Sequence, residues 1–155
     1  MVAFIFRYWF SMASLFVLFY WDYSPLSEVI NLWQTDFTAY ITSLLLGDEV
    51  MQGYHIQITE HYSLVIEKAC NGVIPLLFFF ASIMAFPSTL RHKLNWAVVG
   101  YLTISFINIF RIWFVAKLVL QEKSNFSLAH DYLGNGLLIL TGLSLFILFV
   151  KSRKS

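Results

Sequence analysis

Residues 67–86, EKACNGVIPLLFFFASIMAF, join a polar turn that holds the only cysteine of the chain to an apolar segment that ends at a proline. We predict that the apolar part, Val73–Phe86, crosses a membrane as a helix. It is short for a bilayer core of about 30 Å unless Cys70 and Asn71 form its first turn. We therefore place this span at about 70–87.

The composition points to a bilayer rather than to water as the surroundings of the chain. Apolar types make up 59% of the 155 residues and charged types 12%, with 16 phenylalanines. A soluble domain carries about 25% charged residues. The formal net charge of +1 gives no indication of nucleic-acid binding.

Three further apolar stretches are long enough to cross a bilayer, at about 2–21, 96–116 and 133–150. The first stands where a signal peptide would, but it is as long as a full span and shows no small-x-small cleavage site before Asp22. We interpret it as a retained helix. The sequence thus predicts a single membrane domain over 1–155, an all-α integral membrane protein with about four transmembrane helices.

The charged residues are segregated along the chain, and this predicts the orientation. Basic residues stay on the cytoplasmic side of a membrane. We therefore expect both termini to be cytoplasmic and the loops at about 22–69 and 117–132 to be outside. The cytoplasmic basic residues are Arg7, Arg91, Lys93, Lys151, Arg153 and Lys154, and the outer carboxylates are Asp22, Glu28, Asp36, Asp48, Glu49, Glu60, Glu67, Glu122 and Asp131.

The long outer loop is predicted to contain an amphipathic helix over 26–46 that lies on the outer surface and ends at Gly47. Spanning is the alternative, but Gln34 and Asp36 would be costly at the centre of a bilayer. The apolar side comprises Leu26, Ile30, Trp33, Phe37, Tyr40, Ile41, Leu44 and Leu45, with Glu28, Asn31, Thr35, Asp36 and Thr42 opposite.

A small β-hairpin is predicted next in the same loop. Residues Tyr54–Thr59 and Tyr62–Glu67 alternate apolar and polar types on either side of a short turn. This hairpin would deliver the chain to Cys70 at the mouth of the second span.

Cys70 is the first candidate for chemistry. A single cysteine cannot form an intrachain disulfide or supply a cysteine-based metal cluster. In the first turn of a helix, the positive end of the helix dipole favours the thiolate, and Lys68 adds positive charge while Glu67 opposes it. The alternative is a small buried apolar residue, since free cysteines are often buried.

Arg111 and His130 are the other two candidates, because the topology brings both to the outer side. An arginine inside a span is a functional hypothesis by default, and Asn108, one turn earlier on the same face, could hold its guanidinium; the alternative is an arginine that only extends outward to water. His130, just before the fourth span, is a natural general base. His55 and His61 in the hairpin are rival bases, and a solvated loop histidine is the alternative for each.

No cofactor or metal is predicted. The sequence contains no phosphate loop, zinc-spaced histidine pair or dinucleotide fingerprint. His92 follows Arg91 on the cytoplasmic side and is set aside.

Three segments in order resemble the exosortase/archaeosortase family. Residues 67–72, Glu-Lys-Ala-Cys-Asn-Gly, resemble its Ala-Cys-Ser-Gly element. Residues 108–112, Asn-Ile-Phe-Arg-Ile, resemble its Asn-x-x-Arg element, and residues 130–134, His-Asp-Tyr-Leu-Gly, resemble its last element. The resemblance covers roughly 54–136.

The resemblance implies a cysteine protease or transpeptidase of the bacterial inner membrane that cleaves the C-terminal sorting tail of exported proteins at the outer face. Its partners would be exported proteins bearing a short motif, a transmembrane helix and a basic cluster, within membrane lipid. Cys70 would be the nucleophile, Arg111 the electrostatic helper and His130 the third catalytic residue, with Asn108, Asn71 and Gly72 in support. Asn71 departs from the usual serine, which puts oxyanion or substrate contacts at that position in doubt. The chain is also much shorter than the common eight-span members.

Two other classes of function stay open on the residues alone. One is a non-catalytic membrane assembly or scaffold protein in which Cys70 is merely buried. The other is a thiol redox or acyl-transfer membrane protein. A redox role is disfavoured because the chain has no second cysteine to resolve a mixed disulfide.

Overall fold

The computed structural model describes residues 2–47, 49–121 and 134–152. The described part is mostly helical with one small antiparallel sheet. In chain order its elements are α1 (Val2–Phe19), α2 (Pro25–Leu46), β1 (Met51–Gln52), β2 (His55–Thr59), β3 (Tyr62–Val65), a 3₁₀ turn (Lys68–Cys70), α3 (Val73–Ala85), α4 (Leu90–Gln121) and α5 (Asn135–Lys151).

Helices α1, α3, α4 and α5 form a bundle around an apolar core. Gly100 of α4 lets the ring of Phe79 on α3 pack directly against the α4 backbone, because an added Cβ would lie 2.0 Å from a ring carbon. Helix α1 packs on the other side of α3 through Met12. The core between α3, α4 and α5 consists of Leu76, Phe79, Ile83, Ile104, Leu138, Leu145 and Phe149.

The described carboxylates and four of the seven described lysines and arginines lie near opposite ends of this bundle, while Lys68, Arg111 and Lys117 lie on the side of the carboxylates. The rings of Phe4 and Phe86 meet at 6.3 Å and those of His92 and Phe149 at 4.9 Å, so the start of α1, the α3–α4 junction and the end of α5 lie together. We call this the basic end, since it carries Arg7, Arg91, Lys93 and Lys151. The opposite end, which carries Cys70, is called the site end, and the described carboxylates belong to segments near it.

Two of these helices, α1 and α4, are long and apolar enough to cross a membrane. Helices α3, with 13 residues, and α5, with 17, are apolar but shorter. Helix α4 is longer than predicted, with 32 residues or about 48 Å. Its last turns extend past the start of α3, and there Val115 and Val119 pack against the sheet.

The predicted hairpin is present and gains a third strand. The strand order is β1-β2-β3, with Ile56 opposite Met51 on one side and Leu64 on the other. A register shift falls between Gln57 and Thr59. Ile56, which is 1% exposed, lies on the inner face of the sheet, and this face packs against α2 and α4.

Helix α2 is where the sequence predicted it, but its uncharged polar residues face the protein, whereas Glu28 and Asp36 are exposed. Ser24 caps its first turn and Pro25 occupies the first helical position. Its fully or nearly buried residues are Ser27, Asn31, Gln34, Thr38, Ala39 and Thr42. Its exposed apolar side chains are Leu26, Val29, Leu32, Trp33, Tyr40, Leu44 and Leu45.

The structure corrects the prediction that Cys70 and Asn71 belong to the first turn of the second span. Cys70 ends a separate 3₁₀ turn, and α3 starts only at Val73. Gly72 between them has φ +83°, a left-handed conformation that breaks the path of the helix. Cys70 is therefore not part of the first turn of α3, and the predicted effect of the α3 dipole on its thiol loses its geometric basis.

Candidate active site

Cys70 is held at the site end by its backbone. Its N–H donates to the carbonyl of Glu67 (2.8 Å), which closes the 3₁₀ turn. Its carbonyl accepts a hydrogen bond from Asn108 Nδ2 of α4 (2.8 Å). The side chain is half-buried, so the thiol is neither fully enclosed nor fully exposed.

Asn108 connects the cysteine turn to the arginine. Its side chain is 0% exposed, and its Oδ1 accepts from Arg111 Nη1 at 3.4 Å, a long hydrogen bond. One amide therefore contacts both the Cys70 backbone and the guanidinium. Gly72 leaves room for this approach, because a Cβ there would lie 3.1 Å from the Asn108 amide and would require the amide to shift.

Cys70 and Arg111 line the same cavity of about 90 Å³. Arg111 is 5% exposed although it carries a charge. The rest of the lining is aliphatic and comes from the sheet and α4: Ile56, Leu64, Val65, Ile66, Ile112 and Val115. A fixed cation in a cavity with such low-dielectric lining acts more strongly on developing negative charge than it would in water.

Lys68 does not add its charge to this cavity. Its ammonium forms an ion pair with Asp22, donates to the carbonyl of Tyr20 and lies 4.4 Å from the centre of the Tyr20 ring. These contacts tie the cysteine turn to the end of α1. The positive charge that Lys68 is predicted to add near the thiol is therefore directed toward Asp22 and Tyr20.

The side chain of Asn71 is enclosed by other parts of the protein and is not open to a substrate. It is 0% exposed; its Nδ2 donates to Asn31 Oδ1 at 3.0 Å and Thr35 Oγ1 at 3.3 Å, both on α2, and its Oδ1 accepts from the N–H of Val73. This side chain thus joins α2 to the start of α3, and its amide groups are engaged within the protein.

The predicted third residue, His130, lies outside the described residues, as does Asp131. The two rival bases are exposed, and neither is among the residues lining the cavity. His55 lies 3.4 Å from Ser63 Oγ across the sheet. His92 is at the basic end, where its ring stacks on Phe149.

The sequence analysis missed three residues that support the cysteine turn: Gln34, Tyr101 and Ser105. Gln34 Nε2 donates to the carbonyl of Asn71 at 3.3 Å and to Ser105 Oγ at 3.2 Å, and its Oε1 accepts from the Tyr101 hydroxyl at 3.0 Å. The available signal was the run of polar residues at helical spacing on α2. It was interpreted as a water-facing side, although in a chain this apolar the polar side of a helix can equally face the protein.

Two helices are long and apolar enough to cross a membrane, and Cys70 shares a cavity with the buried Arg111. These features agree with a membrane protein that has a candidate cysteine site. The family model described as transmembrane exosortase matches residues 2–150, and the chain belongs to that family. This confirms the family predicted from the three motifs. No curated protein and no solved structure gives a significant match.

Proposed function

We propose that the protein is a membrane cysteine peptidase or transpeptidase that cleaves the C-terminal sorting tail of exported proteins at the outer face of the bacterial inner membrane. Family membership supports a membrane transpeptidase or protease in general. The observation that carries the assignment to particular residues is that Cys70 and Arg111 line one cavity and share Asn108.

In the proposed reaction the Cys70 sulfur attacks the carbonyl carbon of the scissile peptide bond. The carbonyl oxygen becomes negative, and the Arg111 guanidinium stabilises it; one such donor contributes about 2.7–4 kcal/mol. His130 accepts the thiol proton and transfers it to the leaving amine as the carbon–nitrogen bond breaks. The resulting thioester is resolved by water, giving hydrolysis, or by an acceptor amine, giving transpeptidation.

The proposed topology has four crossings, by α1, α3, α4 and α5, with the basic end in the cytoplasm. The segregation of charge between the two ends of the bundle supports it. The site end, with α2 and the sheet, then faces outward. The exposed apolar side of α2 contacts lipid in this arrangement, and its polar side contacts the protein.

The test is processing of a tailed substrate in cells by single-residue variants. Cys70→Ala and Arg111→Ala should abolish processing while the protein stays in the membrane. Arg111→Lys should be nearly as damaging, because an ammonium lacks the planar fork of a guanidinium. Lys117→Ala is the matched control, since Lys117 is an exposed cation on the same helix. Normal processing by Cys70→Ala would overturn the cysteine mechanism.

Thiol labelling separates the enzyme from the scaffold alternative. A catalytic Cys70 should react with iodoacetamide in the folded protein, and alkylation should stop processing. A Cys70 that stays unmodified until the protein unfolds would favour the scaffold.

A further inference from the structure

The backbone of the cysteine turn is held from two helices at once. Asn108 of α4 donates to the carbonyl of Cys70, and Gln34 of α2 donates to the carbonyl of the next residue, Asn71. Two successive carbonyls are thus each fixed by a side-chain amide. Because these bonds come from different helices, the orientation of the turn depends on the position of α2 as well as α4.

Both polar atoms of the Gln34 side-chain amide form hydrogen bonds. It is 2% exposed, and each of its polar atoms has a partner: the Asn71 carbonyl and Ser105 Oγ for Nε2, and the Tyr101 hydroxyl for Oε1. A buried amide costs free energy unless it is hydrogen-bonded, and a satisfied network in a low-dielectric interior is rigid. Gln34 therefore links α2, α4 and the cysteine turn.

Other contacts hold α2 in place without Gln34. Asn31 pairs with the Asn71 side chain, and Trp33 stacks on Tyr101 with ring centres 6.2 Å apart. Farther along, Asp36 accepts a hydrogen bond from the Tyr54 hydroxyl of the sheet. Loss of the Gln34 amide would thus release the Asn71 carbonyl while leaving α2 docked.

We propose that Gln34 is a positioning residue for the Cys70 nucleophile, acting through the Asn71 carbonyl. It lies outside all three family-like segments. The kcat measurement that tests this inference rests on the proposed function, whereas the maleimide labelling of Cys70 does not. Misplacement of a nucleophile by about 1 Å can cost roughly 100-fold in rate, so the effect falls on turnover rather than on substrate binding.

The test compares Gln34→Met with Thr38→Val in the full-length protein in detergent or bilayers. Methionine keeps the length and volume of the side chain but lacks the donor. Thr38 lies one turn away on the same buried side of α2 and is 0% exposed, and its hydroxyl has no hydrogen-bond partner among residues 2–47, 49–121 and 134–152. The control therefore removes a buried hydroxyl without removing a bond.

Gln34→Met is expected to lower kcat for a tailed substrate about 10–100-fold with KM nearly unchanged, at a temperature where both variants are folded. Cys70 should also react severalfold faster with a bulky maleimide, because a released turn leaves its small cavity more often. Thr38→Val should match wild type in both readouts. Tyr101→Phe, which removes the hydroxyl that donates to Gln34 Oε1 and leaves the bonds of Gln34 Nε2 in place, should give an intermediate effect.

Two results would overturn the proposal. One is a Gln34→Met protein with the labelling rate and kcat of Thr38→Val. The other is a Gln34→Met protein whose activity falls only in proportion to its folded fraction, so that the activity per folded molecule is unchanged. If the wild type processes no tailed substrate, the proposed function fails, but maleimide labelling still decides whether Gln34 holds the turn.

Discussion

Replacing Gly72 with alanine should damage the site more than it damages the fold. Gly72 has φ +83°, where an L-residue costs about 1–2 kcal/mol. The added Cβ would also lie 3.1 Å from the Asn108 amide. If Asn108 yields, its hydrogen bonds to Cys70 and Arg111 weaken, at a further cost of about 1–3 kcal/mol. The total is about 2–5 kcal/mol.

Gly53→Ala is a control for the backbone term. Gly53 has φ +61°, and an added Cβ would meet nothing within 4 Å. It should therefore lose only the 1–2 kcal/mol of backbone strain. The measurements are the free energy of unfolding in detergent for both variants, and the processing rate of a tailed substrate per folded protein.

We expect Gly72→Ala to be the less stable variant and to lose most of its processing, with Gly53→Ala near wild type per folded molecule. Equal destabilisation of the two variants would show that Asn108 is not displaced. Normal processing by a folded Gly72→Ala protein would refute the idea that the Asn108 contacts position Cys70 and Arg111.

Three further predictions concern the third residue, the topology and pH. His130→Ala should cost far more processing activity than His61→Ala; the reverse order would move the base to the sheet. In a Cys70→Ala background, an impermeant maleimide should label the His61→Cys protein but not the Ser88→Cys protein. Labelling of the Ser88→Cys protein would reverse the predicted orientation. Hydrogen bonding to Asp36, then desolvation and the charge of Asp36, raise the pKa of Tyr54. The stability from this pair is therefore present below pH about 10 and lost as pH rises through the raised pKa. Asp36→Asn should lower the pKa of Tyr54 in an absorbance titration of tyrosinate, and an unchanged titration would contradict the assignment.

Much of the local structure followed from the sequence because short-range patterns encode it. Alternation around residues 54–67 predicted the hairpin, although β1 was missed because Met51–Gln52 is too short to show a period. Helix α2 ends at Gly47, as predicted. The predicted span stops at about 116, before the charged Lys117, but α4 continues to Gln121 because Val119 beyond that charge packs against the sheet.

The sequence alone determined the family, the apolar helices and the identity of the candidate residues, because hydropathy, charge segregation and three short motifs are local properties of the chain. The direction in which α2 faces and the contacts that hold the cysteine turn became visible only in the folded structure. A polar stripe that includes Asn31 and Gln34 can face either water or buried hydrogen-bonding partners. The choice depends on whether acceptors such as the Asn71 carbonyl lie opposite it, and these come from segments distant in the chain.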